Sequence, residues 1–434
     1  MRGGCTWKCV EAEGCVTIRS VSDVVERQLC TGCGACAYLE SRRFRMADAV
    51  DFGRRPFLQA NAAPETGEGL RACPGVSLTR PAPDQRPAAD PTLYAEWGPV
   101  LEVWEGYAGD PEIRYAGSSG GAATALALFC LERKGWRQVL HTAASADRPY
   151  LNETVVSVDR DELLSRTGSR YAPASPVEGL ARLEQGDGTG VFIGKPCDVA
   201  AVRKVQALRP ALEQRLGLTI AFFCAGAPST AGNLALLARE GVERPESVRE
   251  LRFRGFGWPG LWRARFTDGD GRDREVSLSY EESWGFLQRY RQWRCYICPD
   301  HSGEFADLAV GDPWYRPTVP DEPGKSLIVV RSERGRRLLH EAAAAGYLVL
   351  EREDKSLLPR SQPNLRLTRG ALWGRLLALR LFGAAVPSYR GFALFGAWLK
   401  GLTFKQKLQS VAGTVKRIYA KRLRSRVRLA DSQV

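Results

Sequence analysis

Long apolar stretches are missing from this sequence. It contains no run of about 18 apolar residues, the length that a helix needs to cross a bilayer. The best candidate is interrupted by Arg375, Arg380, Pro387 and Arg390. The first 15 residues carry charges, glycines and cysteines instead of the apolar core of a secretory signal. We therefore expect neither a membrane-spanning helix nor a secretory signal. Without such a signal, the 12 cysteines indicate a reducing compartment, and the cytoplasm is the default location.

Net charge is almost absent from the first 370 residues. Residues 371 to 434 hold 13 of the 62 Lys and Arg residues and one of the 49 acidic residues, so that +12 of the total charge of +13 belongs to this tail. A neutral body does not suit nucleic acid, which proteins bind through basic surfaces. The 434 residues include 44% apolar and 26% charged ones, as in folded proteins of two or three domains.

Three closely spaced cysteines form the most specific local signal. Cys30, Cys33 and Cys36 lie in Cys-Thr-Gly-Cys-Gly-Ala-Cys, where glycines let the backbone wrap around an inorganic core. A bacterial ferredoxin loop would place a fourth cysteine where Glu40 stands. Cys73, which is followed by a proline, is the expected fourth ligand. The arrangement predicts one 4Fe-4S cluster, with zinc as the less favoured alternative.

A second pair of cysteines, Cys295 and Cys298, forms a chelating C-x2-C hook followed by a proline. Two single cysteines, Cys197 and Cys224, each come just after a short apolar run that is typical of a buried strand ending in a turn. These runs are Val191–Ile193 and Leu218–Phe223. Strand ends of this kind are expected to bring four thiolates together, as ligands of either zinc or an iron–sulfur cluster.

A glycine- and serine-rich loop, Gly117–Gly121, leads through Thr124 into a predicted helix at Ala125–Glu132. The free amides and the dipole at a helix N-terminus favour an anion such as phosphate. The loop is therefore a candidate site for a nucleotide cofactor, and a helix cap packed tightly on a neighbouring element is the alternative. The turn at Ser169–Tyr171 combines a hydroxyl, a cation and an aromatic ring, which either contact a phosphate or ring or cap the next helix.

Lys195 lies in a segment that invites comparison with a phosphate-binding P-loop, but Thr189 and Pro196 break that pattern and exclude an ATPase. We expect this lysine beside an electron-rich cofactor, where its charge favours the reduced form. A mixture of cations and aromatics at Leu251–Gly260 suits stacking on a flat ligand or on single-stranded nucleic acid, but a strand with exposed arginines is the preferred interpretation. Asp312, between a glycine and a proline, is expected to form a turn.

Apolar runs and helical patterns alternate towards the end of the body, which predicts an α/β fold. Ser326–Arg331 is a predicted core strand, Gly335–Ala345 a helix and Tyr347–Leu350 a further strand. The predicted regions are an iron–sulfur region (1–80), an extended and exposed linker (81–98), two α/β body domains (99–176 and 177–365) and a basic helical tail (366–434). The tail places Phe404, Leu408, Val411, Val415 and Ile418 on one helix face.

These motifs together resemble the coenzyme F420 hydrogenase/dehydrogenase beta-subunit family, which includes 7-hydroxymethyl chlorophyll a reductase and the ferredoxin-dependent divinyl chlorophyllide vinyl reductase. In the family's order, they are C-T-G-C-G-A-C, G-S-S-G-G, G-S-R-Y, G-K-P-C-D, F-F-C-A-G, C-Y-I-C-P-D and G-D-P-W. The resemblance runs from about Cys30 to about Leu350, and the tail after about Ala371 lies outside it. The joint occurrence of the motifs is far more specific than any one of them.

The resemblance implies FAD and two 4Fe-4S clusters, and it favours iron over zinc at the second site. One cluster would be bound by Cys30, Cys33, Cys36 and Cys73, and the other by Cys197, Cys224, Cys295 and Cys298. The flavin would be faced by Gly117, Ser118, Ser119, Gly120, Gly121, Thr124, Ser169, Arg170, Tyr171 and Lys195. Cys5, Cys9, Cys15 and Cys130 receive no role, and no acid or base is singled out.

The expected reaction is hydride exchange at FAD with coenzyme F420 or another conjugated ring, coupled through the clusters to ferredoxin or a partner redox subunit. The first alternative is a ferredoxin-dependent reductase of a tetrapyrrole or other unsaturated ring. A zinc-stapled nucleic-acid-binding protein is the alternative from a different class. The basic tail is expected to dock on its own body, on an acidic partner or on an anionic membrane surface, which would make the protein peripherally membrane-associated.

Overall fold

The computed structural model describes residues 16–85, 88–319 and 322–429. Cys5, Cys9 and Cys15 lie outside these residues. The N-terminal region consists of short elements joined by tight turns, and its first helix begins at a capping box in which the Ser20 hydroxyl and the Asp23 carboxylate each accept a backbone N–H. Its elements are α1 (Val21–Glu26), α2 (Ala35–Leu39), β1 (Phe44–Ala49), β2 (Gly53–Leu58), α3 (Glu68–Arg71) and β3 (Ser77–Thr79).

The body alternates strands and helices. Its first part contains α4 (Pro91–Trp97), β4 (Glu102–Ala108), α5 (Pro111–Ala116), α6 (Ala122–Glu132), β5 (Gln138–Ala144), β6 (Asn152–Ser157), α7 (Arg160–Ser165), α8 (Leu180–Gln185), β7 (Gly190–Gly194), α9 (Pro196–Gln206), α10 (Ala211–Arg215) and β8 (Leu216–Phe222). Its second part contains α11 (Thr230–Arg239), β9 (Val248–Arg252), β10 (Trp262–Thr267), β11 (Asp273–Leu278), α12 (Tyr280–Leu287), α13 (Trp293–Tyr296), β12 (Leu308–Gly311), β13 (Ser326–Val330), α14 (Glu333–Ala344) and β14 (Leu348–Glu353).

An eight-stranded mixed sheet forms the centre of the body, with the order β14-β4-β13-β12-β8-β7-β5-β6. Strands β5, β7, β8 and β12 run parallel, whereas the other neighbouring pairs are antiparallel. Every residue of β7 and of β13 is buried, as expected for strands covered on both faces. The α/β class expected from the sequence is confirmed, as are the strands predicted in β7, β8, β13 and β14 and the helices predicted in α6 and α14.

A smaller antiparallel sheet, β11-β10-β9, lies beside helices α11 and α12 and has its own apolar core around Trp262, Phe253 and Leu236. Residues 82–85 of the predicted linker are exposed, but the end of the segment is neither extended nor exposed. Helix α4 occupies the end of this segment and buries Tyr94 and Trp97, because aromatic rings contribute much more apolar area than the prolines before them.

The tail packs against the N-terminal region and on itself. After α15 (Leu357–Ser361), which ends the body, it comprises α16 (Pro363–Gly370), α17 (Leu372–Leu381), β15 (Ser388–Arg390), α18 (Leu394–Gly401) and α19 (Phe404–Ala420). Strand β15 pairs in parallel with β3, and the backbone N–H of Val427 donates to the Glu26 carbonyl at 2.9 Å. Docking of the tail on its own body is therefore what the structure shows.

The buried face of α19 differs from the predicted one. Ser410, Thr414 and Ile418 are buried, whereas Phe404 is 75% and Leu408 55% exposed. The Trp398 indole of α18 donates to the Ser410 hydroxyl of α19 at 3.1 Å. The small side chain of Ser410 therefore lets the two helices pack closely. Within the described residues, no helix is long and apolar enough to cross a membrane.

Candidate functional site

The first predicted cysteine set surrounds a single cavity. Cys30, Cys33, Cys36 and Cys73 all line it, together with apolar side chains from α1, β1 and β2. Gly34 is the N-cap of α2 and has a φ of 94°, a left-handed conformation that glycine adopts without strain and that turns the chain sharply between the second and third cysteines. The Gly32 N–H lies 3.3 Å from the Cys30 Sγ, as a donor to that sulfur.

The thiols of this cavity are held in a poorly solvated position. Burial, together with the charge of neighbouring thiolates, raises the pKa of Cys33 to about 12 and that of Cys73 to about 11, and it also raises the pKa of Cys36. Without a bound cation these sulfurs keep their protons. A metal centre bound by these sulfurs would replace those protons.

The second predicted set surrounds another cavity. Cys197, Cys224, Cys295 and Cys298 line it together with Thr31, which also lines the first. Cys197 lies in the first turn of α9 just after β7, and Cys224 follows β8. Because β7 and β8 are parallel neighbours, their carboxyl ends meet at one edge of the sheet and bring these two thiols together.

The hook residues reach that edge through a tightly bonded loop. The Asp300 carboxylate accepts the backbone N–H groups of Ser302, Gly303 and Glu304 at 2.8 to 3.0 Å, which makes it the centre of a turn. The backbone N–H of Cys224 donates to the His301 carbonyl at 2.9 Å, so the loop is joined directly to the end of β8. Burial raises the pKa of Cys224 and of Cys298 to about 12.

Two cations line the second cavity, the half-buried Lys195 and the buried Arg294. Lys195 donates from Nζ to the Asp198 carboxylate at 2.6 Å and lines this cavity, where it lies beside Cys197. Arg294 also lines the cavity and donates to two backbone carbonyls. Lys195 was expected to face a flavin, and the structure places it with the cysteines. Within the described residues, no three His, Cys, Asp or Glu side chains are arranged as ligands of one metal ion.

The Gly117–Gly121 loop and the Ser169 turn are brought together. The Ser169 N–H donates to the Ser118 hydroxyl at 2.8 Å. Gly120 has a φ of 112°, and a side chain there would meet the backbone of Lys325 at 2.8 Å, so only glycine fits this close approach. Gly121 is the N-cap of α6, which has no side-chain cap, and Thr124 lies in its first turn. The N-cap glycine therefore supplies no side-chain acceptor to the first amides of the helix.

Arg170 and Tyr171 are held by the protein itself. The Arg170 guanidinium donates to the Asn152 side chain at 2.8 Å and to the Leu251 carbonyl at 2.7 Å, and burial lowers its pKa to about 9. The Tyr171 ring lies 5.1 Å from the Trp284 ring. These contacts give both residues a part in shaping the turn that carries Ser169.

An ion pair that the sequence did not reveal lies beside the loop. Arg254 donates from Nη1 and Nη2 to the Asp312 carboxylate at 2.9 and 2.6 Å, and from Nη2 to the Ser118 carbonyl at 2.6 Å. The Asp312 carbonyl accepts the Trp314 N–H at 3.0 Å, as expected for a turn, while its side chain pairs with this arginine and with the Trp258 indole. The mixture of cations and aromatics around Arg254 marks this segment in the sequence. The partner of Arg254, Asp312, is 58 residues away, so local sequence does not reveal the pair.

Aromatic rings surround this ion pair. The Tyr280 and Trp314 rings stack at 5.2 Å, and the Arg254 guanidinium lies 4.9 Å from the Tyr280 ring. Trp258 lies 5.2 Å from Trp314. The loop therefore rests on a rigid support of rings and paired charges.

The chain combines an α/β body with two cysteine-lined cavities, and comparison with known proteins names its family. The model for the N-terminal part of the coenzyme F420 hydrogenase/dehydrogenase beta subunit matches residues 103–181. The model for the C-terminal part of the same beta subunit matches residues 189–356. The two models together cover more than half of the chain. It belongs to this family, which confirms the resemblance seen in the motifs.

Similar proteins occur in Methanosarcina barkeri and Methanococcus maripaludis. The coenzyme F420 hydrogenase subunit beta of M. barkeri is 23% identical over 55% of this chain and 77% of its own length. The F420-dependent formate dehydrogenase 1 subunit beta of M. maripaludis is 28% identical over 57% of this chain, and the match spans 60% of that protein. A solved F420-reducing [NiFe] hydrogenase complex from M. barkeri, derivatised with xenon, contains a chain that shares the fold, with a TM-score of 0.51, 20% identity and coverage of 67% of this chain and 95% of that one.

Proposed function

We propose that this chain transfers electrons between an organic hydride partner, coenzyme F420 or a similar conjugated ring, and ferredoxin or a partner redox subunit. The proposed cofactors are FAD and two 4Fe-4S clusters: the flavin exchanges hydrides and single electrons, and each cluster carries one electron. One observation carries the proposal, namely that two sets of four cysteines each surround one cavity.

We prefer clusters to zinc at both cavities because of the motifs that hold the cysteines. Four thiolates around one zinc ion at about 2.3 Å lie about 3.8 Å from each other. In a four-iron cluster each thiolate binds a different iron, so the sulfurs stand further apart around a larger core.

The residues around the thiols have separate tasks in this proposal. Val24 and Val25 line the first cavity and exclude water from it. Lys195 and Arg294 place positive charge beside the second cavity, which favours additional negative charge there. The Gly32 N–H is a donor for the Cys30 sulfur, and such bonds adjust the potential of an iron–sulfur site.

The flavin is assigned to the Gly117–Gly121 loop and the N-terminus of α6. The uncapped amides of this 11-residue helix suit a diphosphate, since they and the helix dipole attract anions. Ser118 and Ser169, which are bonded to each other, hold the two loops at this position. Arg254 fixes the Ser118 carbonyl from the other side.

For the tail we propose contact with an anionic membrane surface through the turn between α18 and α19. Phe395, Leu399, Phe404 and Leu408 are exposed there. Lys400, Lys405 and Lys407 lie in the same short segment and would interact with acidic lipid headgroups. Exposed apolar side chains flanked by lysines favour a lipid surface because the rings enter the interface while the charges stay at headgroup level.

The deciding experiment is anaerobic purification followed by measurement of iron, sulfide, zinc and flavin per chain. We expect about eight iron atoms and one FAD, as two four-iron clusters and one flavin require. Zinc without flavin would contradict the proposal. Bleaching of the flavin by reduced coenzyme F420 is then expected, whereas bleaching by reduced ferredoxin alone would favour the reductase of a tetrapyrrole or other unsaturated ring.

A further inference from the structure

The two cysteine cavities share a wall. Thr31 lines both cavities, and its hydroxyl is buried with no hydrogen-bond partner among the described residues. Arg294 lines the second cavity and donates from Nη2 at 3.0 Å to the carbonyl of Pro74, the residue after Cys73 of the first set. One guanidinium therefore connects the loops that carry the two sets, although they are 220 residues apart.

Arg294 is held rigidly and keeps a free donor. It is 3% exposed, and its Nη1 donates to the Ile297 carbonyl at 3.1 Å within the hook itself. Its Nε–H is buried and has no partner in the part of the chain that the structure describes. An unpaired donor at this depth costs free energy unless something in the cavity accepts from it.

Arg294 places its positive charge at the wall of the second cavity, which it lines together with the four cysteines of that set. The guanidinium stays charged in any case. It is a permanent positive charge at the boundary between the two cavities.

We propose that Arg294 is a positioning residue that raises the reduction potential of the iron–sulfur site in the second cavity relative to the first. The inference rests on the proposed function, since it requires clusters in both cavities. Reduction adds one negative charge, and a fixed cation in a poorly solvated interior favours that state. One electron leaves one site and one enters the other, with no bond made or broken. Reduction of the second site from the first therefore becomes more favourable.

The test is a redox titration of the anaerobically purified full chain, followed by electron paramagnetic resonance. Cys295→Ala identifies which of the two transitions belongs to the second cavity. Arg294→Gln removes the charge, and we expect it to shift that transition to lower potential without moving the other. Arg294→Lys keeps the charge, and we expect it to retain the original potential.

Arg331 provides the matched control. It is as deeply buried, donates to the carbonyls of Trp97, Pro99 and Ser302, and lines neither cavity. Arg331→Gln is therefore expected to leave both potentials in place. A fully iron-loaded Arg294→Gln protein with unchanged potentials would overturn the inference, as would an equal shift in Arg331→Gln.

Iron analysis separates the possible failures. A wild-type protein without iron refutes the proposed function itself, whereas a loaded protein with unchanged potentials refutes only the role of Arg294. If Arg294→Gln does not retain its iron, the potential of the second site is measured in Arg294→Lys instead. A lowered potential in Arg294→Lys then contradicts the role of the charge, and an unchanged one supports it.

Discussion

Lys195 and Asp198 form an ion pair at 2.6 Å in the first turn of α9, beside the second cysteine cavity. Asp198 is fully buried, and its carboxylate also accepts the Lys195 backbone N–H at 3.0 Å. Burial opposes the charge of the lysine, but Asp198 and Cys197 raise its pKa above the usual range. The lysine therefore carries its charge next to the thiols, and its part at a flavin stays a prediction.

Removal of this lysine is expected to destabilise the fold. Lys195→Met leaves the Asp198 charge buried without its partner, which costs about 3 kcal/mol of unfolding free energy. Thermal or urea unfolding measures the loss. The double variant with Asp198→Asn removes both charges and is expected to recover most of the stability. Equal losses in the single and double variants would show that the pair is not the cause.

Loss of one cysteine is expected to empty one cavity and spare the other. Cys295→Ala reduces the iron content from about eight to about four atoms per chain, because each four-iron cluster needs its own ligands. Cys130→Ala is the control, since Cys130 is buried in α6 and lines neither cavity. Retention of about eight iron atoms in Cys295→Ala would contradict the assignment, as would a loss in the control.

Phe256 has an unfavourable backbone conformation, and a substitution by glycine is expected to relieve the strain. Its φ is 56°, in the left-handed region that costs a bulky residue about 1 to 2 kcal/mol. We expect Phe256→Gly to be more stable than Phe256→Ala by about 1 kcal/mol, since both lose the ring but only glycine relieves the backbone.

Leu261 is the matched position for that comparison. Both side chains are 44% exposed, but Leu261 has no positive φ. There, glycine is expected to be less stable than alanine because it loses more backbone entropy on folding. The same order of stability at both positions in thermal unfolding would contradict the backbone explanation.

His141 predicts a dependence of stability on pH. Burial and the charge of Arg166 lower its pKa from 6.5 to about 4, and its Nε2 lies 2.8 Å from the Ser157 hydroxyl. Between these values the unfolded chain binds a proton that the folded chain does not. The free energy of unfolding therefore falls as the pH decreases from about 6.5 to about 4, by roughly 3 kcal/mol from this group.

His141→Asn is the variant that isolates this effect, because asparagine bonds to the serine but does not titrate. Thermal unfolding at several pH values is expected to show a shallower fall for the variant than for the wild type. Equal slopes for the two proteins would assign the acid sensitivity to other groups.

The tail is expected to hold the protein on vesicles that contain anionic lipid. Each lysine near such a surface contributes about 1 kcal/mol, so Lys405→Glu with Lys407→Glu reduces binding at least about tenfold in a flotation assay. Lys416→Glu with Lys421→Glu, further along α19, is the control and is expected to have a smaller effect. The membrane proposal would be contradicted if flotation were the same with and without anionic lipid and the same for the wild type and these variants.

Local patterns in the sequence were enough to predict the elements that carry the site. The runs at Val191–Ile193 and Leu218–Phe223 became β7 and β8, and the loop before α6 precedes a helix as expected. Strand burial, helix initiation and tight turns depend on residues within a few positions of each other, so spacing and composition reveal them. The motifs predict which cysteines belong to each set, and in the structure each set lines one cavity.

Only the tertiary structure decided which distant groups meet. The pairing of Arg254 with Asp312, the bond from Arg294 to Pro74 and the buried face of α19 depend on long-range packing. No local spacing encodes such contacts, because they result from the summed burial of apolar surface throughout the core. The sequence by itself determined the family, the α/β class and the candidate ligands, while packing decided where the buried charges lie relative to them.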